Sequence, residues 1–183
     1  MGGEGSMRVG IIGGGFGTTV LAPIISMNPH MEVVAVSTMH LHQLPEEFAF
    51  WNNPPKHYNN WLKMLDNEKL DLLFISSAPP FHFEMVKRAI LKKVPVVCEP
   101  PFTMNAKQAK ELVHLSKEKK VKVIIDFEWR FLAIRQKMKE LIQDGSIGKV
   151  LHYENHVSIP QYPYLQSMQL GWKGEKDKFG GML

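Results

Sequence analysis

The stretch Val9-Gly10-Ile11-Ile12-Gly13-Gly14-Gly15-Phe16-Gly17-Thr18 decides the fold of this 183-residue chain. A short apolar run ends in a cluster of glycines, and a helix-like segment follows. This order predicts a buried strand that turns tightly into a helix, whose first N–H groups can bind a phosphate. Gly13 permits the tight turn. Gly15 lets the backbone approach a pyrophosphate at a point where a Cβ would collide with it.

The glycine spacing fits the dinucleotide-binding pattern G-x-G-x-x-G/A only in part. The third position of that pattern, where a small residue lets the helix pack closely on the strand, is Thr18, and the extra glycine comes one residue earlier, at Gly17. We interpret the stretch as a dinucleotide site because a strand precedes it, a helix follows, and a strand–helix series begins there. The alternative is an ordinary glycine-rich turn.

Further apolar runs alternate with helical patterns along the chain, and this alternation predicts a parallel sheet covered by helices on both faces. The carboxyl ends of parallel strands meet at one edge, so the residues that follow each strand should converge there. Strands are predicted at 7–12, 32–37, 70–77, 94–98 and 121–127. Helices are predicted at about 18–27 with a bend or an early end at Pro23, 45–51, 61–66 with Asn60 as cap, 82–93, 105–119 with Asn105 as cap, and 132–143.

The end of the second predicted strand bears on the choice between NAD and NADP. A carboxylate there would bond the adenosine ribose, whereas a basic group would accept a 2′-phosphate. The chain has Ser37, Thr38, Met39 and His40 instead, so nothing supports a preference for NAD. Ser37 and Thr38 can hydrogen-bond a 2′-phosphate, and His40 or His42 would add charge when protonated, which favours NADP. The alternative is that these are ordinary loop residues.

Composition limits the remaining classes of function. The net charge of +4 is mild, and the lysines are scattered rather than interleaved with aromatic residues, so we expect no nucleic-acid partner. No segment is long and apolar enough to span a membrane. The single cysteine, Cys98, excludes an internal disulfide and favours a reducing, cytoplasmic location. The spacing of His40, His42 and His57 matches no metal site, so we interpret them as surface residues and predict no metal.

Several segments together resemble the Gfo/Idh/MocA family (glucose–fructose oxidoreductase, inositol dehydrogenase and MocA). They match the family in the same order and span nearly the whole chain from Met7, and their combination is specific although no single segment is. The segments are VGIIGGGFGTTVLAP at 9–23, APPFH at 78–82, VVCEPPFTMNAKQAKEL at 96–112, WRFLA at 129–133 and LIQDGSIGKV at 141–150.

The resemblance implies a Rossmann-type, doubly wound α/β domain that binds NAD or NADP, followed by a second α/β domain. Such enzymes move a hydride between the nicotinamide and a carbon-bound hydroxyl, often on a small polyhydroxy substrate such as a sugar or polyol. The resemblance assigns the pyrophosphate to Gly13, Gly15, Phe16, Gly17 and Thr18. It assigns the nicotinamide side to Ala78, Pro79 and His82, and it places Glu99 at the cofactor near the reacting centre.

One departure from the family concerns catalysis. The family pattern has a lysine directly after the glutamate, and this lysine handles the proton of the substrate hydroxyl or orients the group that does so. Here that position is Pro100, which has no side-chain donor or acceptor, and Lys92 and Lys93 belong to the preceding helix. No catalytic residue is therefore assigned.

The other departure concerns the end of the chain. We expect residues 1–6 to be a disordered leader, 7–127 to be the dinucleotide-binding domain, and 128–183 to be the start of a second domain that is cut short. Residues 149–158 are expected to form its first strand. The family's further proton-handling residues would lie beyond Leu183, and association into homo-oligomers would require the rest of that domain's sheet.

Two classes of function follow. The first is an oxidoreductase homologue that binds NAD(P) and is inactive as this chain because of Pro100 and its early end. The second is a non-catalytic dinucleotide-binding sensor or degenerate paralogue. A chain that binds no nucleotide is the remaining alternative, since Thr18 departs from the glycine pattern.

Overall fold

The computed structural model describes residues 5–39, 43–156 and 171–178. The chain divides into two compact units, the first made mainly of the residues up to Asp126 and the second beginning at Phe127. The first unit contains a six-stranded parallel sheet of order β3-β2-β1-β4-β5-β6. Its strands are β1 (Met7–Ile12), β2 (Met31–Ser37), β3 (Lys56–Tyr58), β4 (Leu72–Ile75), β5 (Val96–Cys98) and β6 (Val123–Ile125).

The helices of the first unit alternate with the strands, as the sequence predicts. They are α1 (Ala22–Ser26), α2 (Trp61–Asn67), α3 (His82–Leu91) and α4 (Ala106–Lys119), and the second unit adds α5 (Ala133–Gln143). The predicted caps are confirmed: the Asn60 Oδ1 accepts from the amide of Leu62 at 2.9 Å, and the Asn105 Oδ1 accepts from the amide of Gln108 at 3.0 Å. No helix among the described residues is long and apolar enough to cross a membrane.

The helix after the glycines begins in an unexpected form. Its first turn, Gly17–Leu21, is a π-helix, and α1 continues from it without a break. Pro23 is the second residue of α1 and has no N–H to donate to the preceding π-helical turn. The change from π-helical to α-helical spacing falls next to it, between Leu21 and Ala22, and α1 ends at Ser26.

The strand β3 was missed by sequence reasoning. It has three residues, follows Pro54 and Pro55, and shows no apolar alternation. It forms because its backbone pairs with the end of β2, with Ala35 opposite Lys56 and Ser37 opposite Tyr58. The pairing partner comes from a distant part of the chain, so no local pattern marks the strand.

Side chains from both faces of the sheet build two core clusters, because successive residues of a strand point to opposite faces. On β1, Ile12 belongs to one cluster, and Val9 and Ile11 belong to the other. The first cluster includes Met64, Met85 and Leu112 from α2, α3 and α4, and the second includes Ala22 and Ile25 from α1. Helices thus cover both faces, which confirms the predicted doubly wound architecture.

In the second unit, the prediction of a strand at 149–158 is wrong for the residues that the structure describes. Residues 149–156 form no strand, and 157 and 158 lie outside the described part. A strand needs a neighbour to pair its backbone N–H and C=O groups. The described residues of this unit contain no other strand that would supply one. The leader expected at 1–6 falls mostly on residues 1–4, which are also outside the described part.

A buried carboxylate joins the outer strand of the sheet to its centre. The Glu68 side chain is 4% exposed. Its Oε1 accepts hydrogen bonds from the Tyr58 hydroxyl at 2.6 Å and the Lys56 Nζ at 3.0 Å, and its Oε2 lies 3.5 Å from the Arg8 guanidinium. The Tyr58 hydrogen bond, with help from Lys56 and Arg8, holds the pKa of Glu68 below its usual value although burial acts in the opposite direction.

We expect Glu68→Gln to lower the free energy of unfolding at neutral pH by about 1–3 kcal/mol, since it removes a charged acceptor of three donors. Because the folded-state pKa of Glu68 is lowered, its stabilisation is present above the ordinary glutamate pKa and is lost as pH falls through the folded-state value. The variant should therefore lose less stability on acidification than the wild type. Urea unfolding at several pH values measures this, with the exposed Glu47→Gln as control. The prediction would be contradicted if the free energy of unfolding fell equally with decreasing pH in the wild type and in Glu68→Gln.

Candidate functional site

The residues that follow the strands are joined into one continuous edge by backbone hydrogen bonds. The Gly13 amide donates to the Ser37 carbonyl at 2.9 Å, and the Ser76 amide donates to the Ile12 carbonyl at 2.8 Å. Beyond them, the Glu99 amide donates to Ile75 at 2.8 Å and the Asp126 amide donates to Cys98 at 2.8 Å. The structure thus brings together, at the carboxyl edge, the loops that the sequence predicted would converge.

The strand order reverses at this edge of the sheet. The chain passes from β1 to β2 on one side and resumes with β4 on the other side of β1. Ligands of open α/β sheets bind above the carboxyl ends of the strands where the order reverses in this way. In this chain the reversal lies between β1 and β4, which are followed by Gly13 and Ser76.

Gly13 cannot be replaced without moving the backbone. Its φ is +143°, and a Cβ there would lie 2.7 Å from the carbonyl oxygen of Ser76. The turn after β1 is therefore pressed against the end of β4. Sequence reasoning assigned the tight turn to Gly13 but gave no sign of Ser76, whose importance comes from this contact.

Gly17 is the position at which the helix packs closely on the sheet. A Cβ on Gly17 would lie 2.5 Å from the Ser76 Oγ and 3.0 Å from the Ile11 side chain. Thr18 is 2% exposed, and its hydroxyl donates back to the Gly14 carbonyl at 2.7 Å. The small-residue position of the pattern is thus shifted by one residue, and Thr18 is accommodated by a bond to the glycine turn.

Gly15 faces open space. A Cβ on this exposed residue would meet no atom within 4 Å. Within the described residues, the backbone amides of Gly14, Gly15 and Phe16 donate to no backbone carbonyl, while the Gly15 carbonyl accepts from the amides of Thr18 and Thr19 at 3.0 Å. Consecutive amides of this kind form a concavity suited to an anion.

Ser37 and Thr38 lie buried at the end of β2. They are 1% and 0% exposed, and the Ser37 Oγ has no hydrogen-bond partner among the described residues. The Thr38 Oγ1 lies 2.7 Å from the His57 Nε2. Burial lowers the pKa of His57. His57 was interpreted as a surface residue, and its contact arises from the pairing of β3 that no sequence signal marked. His40 and His42 lie outside the described residues.

His82 does not present its ring to the open edge. It is 1% exposed, and its Nε2 lies 2.8 Å from the Ser77 carbonyl oxygen and its Nδ1 2.9 Å from that of Pro101. Burial lowers the pKa of His82, although both carbonyls act in the opposite direction. Ala78 is half-buried and Pro79 is buried beside it. The three residues expected on the nicotinamide side therefore lie together after β4, and of these His82 is the most deeply enclosed.

Residues 7–127 match the sequence profile of GFO_IDH_MocA, an oxidoreductase family with an NAD-binding Rossmann fold. The chain belongs to the Gfo/Idh/MocA family. It carries that family's NAD-binding domain, and the predicted fold and family are confirmed.

Individual members of the family show the extent of the likeness. An uncharacterized oxidoreductase of Synechocystis is 32% identical over 97% of this chain and 47% of its own length. D-xylose 1-dehydrogenase (NADP(+)) of Hypocrea jecorina is 30% identical over 70% of this chain and 34% of its own. The myo-inositol 2-dehydrogenase structure from Lactobacillus plantarum is 25% identical over 79% of this chain and 43% of its own, with a TM-score of 0.69. The chain spans less than half the length of each of these proteins.

In this Gfo/Idh/MocA chain the position of the expected lysine is an exposed proline, Pro100, joined to Pro101 by a cis peptide. Glu99 before it is half-buried, and Cys98 is buried, which raises the pKa of its thiol. Lys92 is held elsewhere, with its Nζ 2.6 Å from the Asp66 carboxylate. Neither Pro100 nor Lys92 therefore supplies an ammonium at this point of the edge.

A cavity in the first unit lies apart from the glycine turn. This cavity of about 560 Å³ is lined by residues of the 43–57 segment, including Leu44, Phe48 and His57, and it does not include the glycine turn. Among the described residues no group of three or more His, Cys, Asp or Glu side chains is arranged to hold a metal ion. The glycine turn and the loops after β4 and β5 remain the candidate site.

We expect Gly13→Ala to lower the free energy of unfolding by about 1–3 kcal/mol, because its positive φ and the Ser76 carbonyl both oppose a Cβ. Gly15→Ala is the matched control, since its Cβ would enter open space, and its stability should stay within about 1 kcal/mol of the wild type. Urea unfolding of both variants measures the difference. Equal stabilities would show that the turn can shift away from β4.

Proposed function

We propose that the chain binds a nicotinamide dinucleotide across the carboxyl edge, with the pyrophosphate on the glycine turn. The observation that carries this is the cradle at Gly15, where open space meets the amides of Gly14, Gly15 and Phe16. Gly13 and Gly17 keep the turn in place by packing on Ser76. When bound, the nicotinamide would supply or accept a hydride.

The strand order supports an orientation for the two halves of the cofactor. The residue that recognises the adenosine ribose in such folds lies at the end of the second strand, so the adenosine half belongs above β2. The nicotinamide half then belongs above β4 and β5, at Ala78, Pro79 and Glu99. His82 supports this side from below.

We propose that NADP is preferred over NAD. Ser37, Thr38 and Met39 include no carboxylate to bond ribose hydroxyls, and the Ser37 Oγ has no partner among the described residues. The Thr38 hydroxyl contacts the His57 ring. The negative charge of a nearby phosphate would favour the protonated, positively charged form of that ring. The relative named for NADP(+) supports the same choice.

The reaction class proposed for the intact family fold is hydride transfer to or from the carbon of a hydroxyl on a small polyhydroxy substrate. The names of the D-xylose and myo-inositol dehydrogenases support that substrate class. Hydride transfer from a hydroxyl-bearing carbon also requires a group that accepts the hydroxyl proton. The side chain of Pro100 has no atom that can accept this proton, so we propose that this chain binds the cofactor without turnover.

A second candidate is a non-catalytic dinucleotide-binding protein. The presence of Pro100 beside Glu99 at the carboxyl edge, which argues against turnover in the first candidate, also favours this second one. Such a protein would keep the glycine cradle and would respond to the cofactor by binding alone. The two candidates share nucleotide binding. The first is an oxidoreductase fold in which Pro100 replaces the proton-handling lysine, and the second has a role in binding alone.

We expect saturable binding of NADPH and weaker binding of NADH, measured by tryptophan quenching and by calorimetry. Gly15→Ala should weaken both about tenfold or more, because its Cβ would occupy the space required by the pyrophosphate, and a loss of about 1.4 kcal/mol corresponds to tenfold. Its unfolding curve serves as the control for folding. A folded wild type that binds neither nucleotide would overturn the proposal.

We expect the purified chain to show no NAD(P)-linked oxidation of sugars or polyols above a protein-free blank, measured as absorbance of the reduced cofactor. Pro100→Lys is the companion variant, and we expect no turnover from it either, because an ammonium alone does not position a substrate hydroxyl. Robust turnover by the wild type would show that another group of the chain takes the proton. Turnover by Pro100→Lys alone would favour the enzyme over the sensor.

A further inference from the structure

The loops after β4 and β5 carry the same unusual sequence. Ala78-Pro79-Pro80-Phe81 follows β4, and Glu99-Pro100-Pro101-Phe102 follows β5. We name them the first and the second Pro-Pro-Phe loop. Proline has no backbone N–H, so each loop lacks two of the donors with which neighbouring loops usually bond to one another. The backbone ladder between β4 and β5 ends with the Glu99 amide, which donates to Ile75 at 2.8 Å.

His82 supplies the connection that the prolines cannot make. It begins α3, directly after the first Pro-Pro-Phe loop. Its Nε2 lies 2.8 Å from the carbonyl oxygen of Ser77, before that loop, and its Nδ1 lies 2.9 Å from the carbonyl oxygen of Pro101, in the second loop. The ring is 1% exposed, so water does not compete for these contacts. A single side chain therefore joins both loops.

The hydrogen bonds of His82 determine which substitution removes the connection between the loops. A neutral imidazole has one N–H and donates to one carbonyl at a time, whereas a protonated ring donates to both. Phenylalanine also has a flat ring, although a larger one than imidazole, and it donates to neither carbonyl. The His82→Phe substitution thus removes the connection between the loops but keeps an aromatic ring at this position.

We propose that His82 is a positioning residue for the nicotinamide half of the cofactor, and that it acts by fixing the two Pro-Pro-Phe loops relative to each other. The inference rests on the proposed function, which places that half above β4 and β5. His82 does not touch the cofactor in this proposal. It holds Ala78, Pro79 and the segment after Glu99 in one arrangement, so that the nicotinamide ring meets a preformed surface rather than loops that must be ordered on binding.

The test compares ligands that differ only in the nicotinamide ring. For wild type and His82→Phe, the dissociation constants are measured by calorimetry for NADPH and for 2′-phospho-ADP-ribose, which lacks the ring. NADH and ADP-ribose form the second pair. We expect His82→Phe to weaken the binding of the nicotinamide-containing ligand of each pair about tenfold, which corresponds to about 1.4 kcal/mol of binding free energy. The ring-free ligand should change less than about twofold, since it binds mainly at the glycine turn and β2. His114→Phe, on the exposed surface of α4, is the matched control and should change neither.

The outcomes separate this inference from the proposed function. If wild type binds none of the four ligands, the proposed function fails and the inference fails with it. If wild type binds them and His82→Phe weakens both members of a pair equally, or weakens neither, the proposed function stands and the positioning role is overturned. If His82→Phe does not fold, His82→Gln takes its place, because its amide can still donate to one of the two carbonyls. A smaller loss confined to the nicotinamide-containing ligands is then the supporting result.

Discussion

The arrangement of the candidate site depends on the close contact between the glycine turn and the end of β4. Gly13 and Gly17 both press against Ser76, and neither leaves room for a Cβ. This contact brings the turn after β1 onto the strand on the far side of the reversal in strand order. It leaves Gly15 facing open space at this edge. The anion cradle therefore depends on a packing constraint beneath it.

The two parts of the candidate site differ in chemistry. The glycine turn offers backbone amides that donate to no backbone carbonyl among the described residues, and these suit a pyrophosphate. The Pro-Pro-Phe loops offer few amides because proline has none, so their surface is suited to a ring rather than to a charged group. His82 compensates for the missing backbone bonds from below. The asymmetry agrees with a ligand that is anionic in the middle and has a flat ring at one end.

In the proposed function, the replacement of the expected lysine by Pro100 separates binding of the cofactor from catalysis. Every feature that supports the cofactor lies in the glycine turn and the strand ends, and none of them requires residue 100. Proton transfer is different, because it needs a titratable group within hydrogen-bond reach of the substrate hydroxyl. A protein of this family can therefore keep the first property while losing the second.

The sequence by itself determined the parallel, doubly wound fold, the family, and the turn residues Gly13 and Gly15, because apolar periodicity, glycine spacing and helix caps are local properties. Tertiary structure decided what depends on partners distant in the chain. Strand β3 exists through its pairing with β2, and it brings His57 to Thr38. Ser76 makes Gly17, rather than residue 18, the close-packing position. His82 appears in the sequence as a cofactor residue, yet the carbonyls of Ser77 and Pro101 fix it beneath the loops. Contacts between distant residues leave no periodic pattern, and for that reason only the folded chain shows them.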